Sequence, residues 1–310
     1  MKVVFLGSPE FAVPSLRAIL DAGHEIPLVI TQPDRPKGRG MHKMPTPIKI
    51  AALDAGLSVA GTQRITRELV SRVKAIEPDI IAVSAFGLFL PSSLCKSAKI
   101  ACINVHPSLL PRYRGAAPIQ WAIINGDKIT GVTIMHVAPK LDAGGIILQE
   151  TEVIDEMDTT ATLLDRLALK GGRMLADAIG LFGTGEAETR GQDQAAVVWA
   201  RALMREDGRI DWSKSATRVR NLIRGVVPWP GAFTTLPDQR VIKVFPHVDL
   251  VEDIGGIKPG EVLIRGKQVI VACGQGGIRL GQVQMPGKRR TDAHALINGN
   301  ILRSGMRLGQ

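Results

Sequence analysis

Apolar residues along the chain come in short runs separated by stretches with helical spacing. The runs 2–7, 26–31 and 79–84 have strand length, and residues 10–22, 46–55 and 66–76 between them carry apolar positions on one helical face. That rhythm predicts β-α-β units on a parallel sheet, an α/β class. Two further runs, 101–105 and 131–137, extend the sheet, with a helix predicted near 116–125. Residues 159–182 repeat Leu163, Leu164, Leu167, Leu175 and Ile179 at a period close to 3.6, which predicts a long helix closing a first domain.

The stretch 183–194 is polar and glycine-rich, the composition of a linker or surface crossing. Beyond it the texture changes. One helix is predicted near Ser215–Arg224, then the break Pro228-Trp229-Pro230-Gly231, then β-type runs at 240–245, 260–264, 268–273 and 278–284. Short strands between glycine and proline turns predict a small barrel. The expected division is a first domain over 1–183, a linker over 184–204 and a second domain over 205–310.

At 310 residues and 45% hydrophobic content the chain can bury two cores. Charge adds an asymmetry that hydropathy does not show. The net charge is +10, and residues 201–310 carry 18 Lys and Arg against 9 Asp and Glu. A basic module beside a nearly neutral one points to a polyanion partner for the first and chemistry or small-molecule binding for the second; an ordinary solvated surface is the alternative. The three cysteines lack C-x-x-C spacing, which predicts a reducing compartment without a disulfide frame. The opening apolar run is too short for a signal or membrane segment, so a cytoplasmic location is expected.

The first β-α turn, Gly7-Ser8-Pro9-Glu10, has one glycine where a dinucleotide site needs three, which argues against a nicotinamide cofactor. No His, Cys, Asp and Glu cluster has ligand spacing, so no metal is expected. The densest chemistry lies in 103–118. Asn104 and His106, two apart near a strand's carboxyl end, should face the same side. An asparagine amide there can donate to a developing oxyanion while an imidazole moves a proton. The same residues would also serve as a turn cap and a satisfied core histidine. Asp142, in Leu141-Asp142-Ala143-Gly144, could hold His106 in one tautomer and stabilise its charged form, or simply cap a turn.

Asn104-Val105-His106, Ser108-Leu109-Leu110-Pro111, Arg114-Gly115-Ala116-Ala117-Pro118 and Leu141-Asp142-Ala143-Gly144 together resemble the signature of the folate-dependent formyltransferases. The resemblance implies a Rossmann-like parallel-sheet domain followed by an OB-like β-barrel, with Asn104, His106 and Asp142 as catalytic residues. It implies 10-formyltetrahydrofolate as formyl donor, contacted by Ser108, Leu109, Leu110 and Pro111, and by Phe86, Gly87, Leu88 and Leu90 of a second loop. Residues 31–47 and the C-terminal motifs Arg224–Ala232 and Gln284–Arg290 resemble the tRNA-acting branch of the family. That branch implies the acceptor stem of methionyl-initiator tRNA as partner, bound by Arg35, Lys37, Arg39, Lys43, Lys288 and Arg289, and a monomer. Ala138, Lys140 and Gly145 depart from the family pattern around Asp142. Other folate formyl chemistry, or a non-catalytic tRNA-binding protein, would keep parts of the pattern.

Overall fold

The computed structural model describes residues 1–37 and 42–309. The nine strands of the N-terminal half are β1 (Lys2–Gly7), β2 (Glu25–Thr31), β3 (Arg35–Lys37), β4 (His42–Met44), β5 (Val59–Gly61), β6 (Ile80–Ser84), β7 (Ala101–His106), β8 (Ile129–His136) and β9 (Ile146–Val153). Seven of them form one sheet in the order β5-β2-β1-β6-β7-β8-β9. Strands β5 to β7 run parallel, and β8 and β9 are antiparallel additions. The expected parallel sheet is thus present in five strands, with two antiparallel strands added at one side. Nothing in a strand's own pattern states its direction; pairing decides it.

The runs become strands because both faces of the central sheet are covered. Val3, Val4, Phe5 and Leu6 of β1, and Ile80, Ile81 and Ala82 of β6, are fully buried. Helices begin where the sequence supplies caps. Thr46 accepts from Lys49 N at 3.1 Å ahead of Pro47, and Thr66 accepts from Leu69 N at 3.3 Å. The helix Thr160–Thr184 buries Leu163, Leu167, Leu175 and Ile179 on one side. A Cβ on its Gly171 would lie 2.7 Å from Val105 Cγ1, so the glycine lets the helix sit tightly on β7. On its outer face Arg166 and Lys170 pair with Glu152 of the edge strand β9, at 3.1 and 3.0 Å. Those charges guard an edge that would otherwise invite strand addition.

Contacts divide the chain into two compact units that interleave in sequence. The first holds 1–115, 129–153 and 164–200; the second holds 116–128, 154–163 and 201–310. Of the expected linker 184–204, residues up to 200 pack with the first unit and 201–204 with the second, and the helix predicted near 116–125, observed as Pro118–Asn125, packs with the second.

The second unit contains the helix Ala216–Gly225, capped by Ser215, and the strands β10 (Ala232–Thr235), β11 (Val241–Val244), β12 (Asp249–Val251), β13 (Val262–Arg265), β14 (Gln268–Ala272), β15 (Gly277–Arg279), β16 (Gln282–Gln284) and β17 (Thr291–Asp292). They pair antiparallel as β10-β11-β16-β17 and β12-β15-β14-β13, a small barrel in plan. The run 278–284 divides between the two sheets, since its residues 280 and 281 belong to neither β15 nor β16. Trp212, Val219, Ile223, Ile242, Val271, Ile278 and Val283 fill the core. Among the described residues no helix is long and apolar enough to cross a membrane.

Candidate active site

Asn104 and His106 stand at the end of β7, as their spacing predicts. His106 is 4% exposed, while Asn104 is partly open and its amide makes no hydrogen bond to another described side chain or backbone group. An amide placed that way is available to a ligand. Asp142 comes from the turn after β8, and its Oδ2 lies 3.7 Å from His106 Nδ1. That distance is too long for a hydrogen bond and sets the carboxylate beside Nδ1. Gly115 N–H donates to the same Oδ2 at 2.9 Å.

The other face of the imidazole departs from expectation. His106 Nε2 lies 2.9 Å from the carbonyl of Tyr113, and a carbonyl only accepts, so Nε2 carries the hydrogen. The tautomer is therefore set by the Tyr113 backbone, not by Asp142 as the sequence suggested. Nδ1 is left as the proton-accepting nitrogen, facing the carboxylate. Tyr113 has φ of 61° and Asp142 φ of 48°, left-handed conformations that non-glycine residues adopt at a cost of about 1–3 kcal/mol where the surroundings over-determine them. The Asp142 turn also needs its glycine. A Cβ on Gly144 would sit 1.7 Å from the carbonyl oxygen of His136.

The Ser108–Pro111 run splits by role. Ser108 is fully buried and its hydroxyl donates to Arg112 O at 2.7 Å, and Leu110 packs with Met135 and Ile146. These two shape the turn, which Thr133 and Gln149 brace through the carbonyls of Ser108 and Leu110 at 2.6 and 2.9 Å. Leu109 and Pro111 remain partly exposed. In the second loop Phe86 is buried, Gly87 is exposed, and Leu88 and Leu90 are half-buried.

A cavity of about 440 Å³ opens between Ser8-Pro9, Gln32-Pro33, Arg35-Pro36, Met44–Pro47 and Ala85–Gly87. Asn104, His106 and Asp142 are not among its walls. Gln32 spans its floor, donating to Phe86 O at 2.8 Å and accepting from Arg35 at 2.6 Å. Residues 35–37 and 42–44 form the antiparallel β3-β4 pair beside it. Arg35 and Lys43 are exposed, Lys37 lies on β3, and Arg39 lies outside the described residues. In the second unit Lys288 and Arg289 are exposed, and the Arg290 guanidinium stacks 3.9 Å from the Phe245 ring centroid. Among the described residues no three His, Cys, Asp or Glu side chains gather as a metal-binding set.

Sequence reasoning missed Tyr113, because a backbone carbonyl has no residue signature. It also missed Gln192, whose Nε2 donates to the Asp142 and Gly144 carbonyls at 2.9 and 2.7 Å. The one available signal was Arg114, a cation in the otherwise small and apolar run that follows Tyr113.

Residues 1–179 match the family Formyl transferase, and residues 202–300 match Formyl transferase, C-terminal domain. The chain is 41% identical over 312 residues to the methionyl-tRNA formyltransferase of Citrifermentans bemidjiense, covering 100% of this chain and 97% of that protein. With the methionyl-tRNA formyltransferase of Geobacter metallireducens it shares 39% identity, over 100% of this chain and 99% of the relative. Among solved structures, an N-formyltransferase from Helicobacter canadensis in complex with folinic acid and dTDP-3-aminofucose superposes with a TM-score of 0.70 at 18% identity, covering 92% of this chain and 100% of that one. HypX from Aquifex aeolicus in complex with tetrahydrofolic acid gives 0.62 at 19% identity, over 98% of this chain and 48% of that one. Identities that low bear on the fold alone.

Proposed function

The chain belongs to the formyl transferase family, and on that premise we propose that it moves the formyl group of 10-formyltetrahydrofolate onto the α-amino group of methionyl-initiator tRNA. The observation that carries the chemistry is the His106–Asp142 pair together with the Asn104 amide, which has no hydrogen-bond partner among the described residues. The likeness in sequence to methionyl-tRNA formyltransferases over the whole chain supports the acceptor.

The donor set fits a neutral formyl group: one free amide, one imidazole and one carboxylate. The folate, when bound, supplies an activated carbonyl carbon. Asn104 donates its N–H to the formyl oxygen as negative charge develops there. His106 takes the amine's proton at Nδ1, because Nε2 is committed to the Tyr113 carbonyl. Asp142 stabilises the resulting imidazolium across 3.7 Å. The same nitrogen then returns a proton to the leaving folate nitrogen. Leu109, Pro111, Gly87, Leu88 and Leu90 are the exposed or half-buried surface that remains for the folate, and Phe86, Ser108 and Leu110 hold that surface in shape.

For the partner, the cavity beside the β3-β4 pair, with Arg35 on its rim, is an approach for the aminoacyl end, and Lys43, Lys288 and Arg289 are exposed cations for phosphates of the acceptor stem. The enzyme works as a monomer in the cytoplasm. Incubation with 10-formyltetrahydrofolate and charged initiator tRNA, charged elongator tRNA, uncharged tRNA or free methionine tests the reading. Formylation confined to the charged initiator is expected. A comparable rate on free methionine would overturn the acceptor, and no transfer to any acceptor would overturn the reaction.

A further inference from the structure

The polar segment 190–200 is threaded into the first unit as a strap over the Asp142 turn. Arg114 N–H donates to Val198 O at 2.9 Å, and Ala200 N–H donates to Arg114 O at 2.8 Å. The Arg114 side chain is fully buried, yet it is satisfied by glutamine carbonyls and not by a carboxylate. Its Nε and Nη2 donate to Gln192 Oε1 at 3.0 and 2.6 Å, and Nη1 donates to Gln194 Oε1 at 3.2 Å. A guanidinium offers donors only, so this fork orients the Gln192 amide: its oxygen must face Arg114 and its NH2 must face away.

The NH2 then meets the Asp142 and Gly144 carbonyls at 2.9 and 2.7 Å. Those two groups bracket the turn in which Asp142 holds its left-handed φ of 48°. Flipping the amide would set an NH2 against the guanidinium and an oxygen against two carbonyls, so the arrangement is single-valued. Without it the Asp142 turn keeps the Gly115 N–H bond to Oδ2, the Ala143 N–H bond to Lys140 O at 3.2 Å and the His136 N–H bond to Gly145 O at 2.9 Å, none of which engages the Asp142 and Gly144 carbonyls.

We infer that Gln192, oriented by the buried Arg114, is a positioning residue that holds the Asp142 carboxylate at its working distance from His106. The inference rests on the proposed role of Asp142 in the reaction. Arg114 acts one step further out, through the amide and not on the substrate.

The experiment is formyl-transfer kinetics and thermal melting on Gln192→Ala and Gln192→Glu, each alone and combined with Asp142→Asn. Glutamate still accepts from Arg114 but has no N–H to give, so it separates the positioning bonds from the packing of the strap. Each single variant is expected to lower kcat about 10- to 100-fold, the cost of a small misplacement at a reacting group, with KM for both substrates little changed. In the Asp142→Asn background the second change should add almost nothing, because the group being positioned is already disabled. Should Gln192→Ala fail to fold, Gln192→Glu carries the test alone. Normal kcat in the Gln192 variants, or a loss of the same factor in both backgrounds, overturns the inference while leaving Asp142 its role. Full activity in Asp142→Asn alone overturns the underlying reading instead.

Discussion

The two surfaces to which the sequence motifs point are built on opposite plans. Around His106 and Asp142 the supporting groups are tied: Nε2 to Tyr113, Oδ2 to Gly115, the turn carbonyls to Gln192, and Gln192 to a buried arginine. Arg35 and Lys43 of the first unit, and separately Lys288 and Arg289 of the second, stand exposed to solvent, Arg35 with a bond to Gln32. The difference fits the roles proposed for each. Bond making depends on sub-ångström placement, whereas attraction to a phosphate backbone falls off slowly with distance and tolerates motion. The site is therefore expected to fail sharply when touched, and the basic surface gradually.

The largest effects are expected at the proposed reacting groups. Asn104→Ala or Asp142→Ala should reduce the single-turnover formyl-transfer rate about 10²- to 10⁴-fold, the range for losing an oxyanion donor or a proton-transfer partner, with an unchanged melting profile. Near-normal rates in both would erase the contrast. Gly144→Ala comes next, since its new methyl must displace the His136 carbonyl. Chemical denaturation should show a loss of about 1–3 kcal/mol, with activity falling alongside; an unperturbed midpoint would mean the turn is looser than its contacts imply.

On the basic side, replacing Lys288 and Arg289 together by alanine should raise KM for tRNA several-fold and leave kcat alone. The slope of log affinity against log salt should flatten by roughly 1–2 for the two lost phosphate contacts. A fall in kcat with an unchanged salt slope would place these residues with the tied site instead. The smallest effect is expected at His136, where burial holds the imidazole below its ordinary value of 6.5. The unfolded chain binds that proton more readily, so this group removes stability as pH falls below 6.5 and contributes none of that loss above it. Melting temperatures for His136→Gln and the unaltered protein should diverge only on the acid side, with the variant losing less.

Local pattern was enough for much of the architecture. The apolar runs of β1, β2, β6 and β7, the capped helices after Thr46, Thr66 and Ser215, and the long helix over 160–184 all follow from periodicity and cap chemistry read within a dozen residues. Asn104 and His106 were legible for the same reason, since alternation along one strand puts them on one side. The antiparallel direction of β8 and β9 was not legible, and neither was the β3-β4 pair, because direction and pairing are properties of two segments and not of one.

The residue types for the chemistry were thus determined by the sequence alone: an amide, an imidazole and a carboxylate in a pattern that also names the family. Their working arrangement was decided by the tertiary structure. Only the folded chain brings the Tyr113 carbonyl to Nε2, which assigns Nδ1 its role, and only there does a stretch with the composition of a linker become a strap joining Arg114 to the Asp142 turn. Side chains announce themselves in a sequence. Backbone carbonyls and hydrogen bonds across 50 residues, such as Gln192 to Asp142, do not, because their partners meet only when the chain is packed.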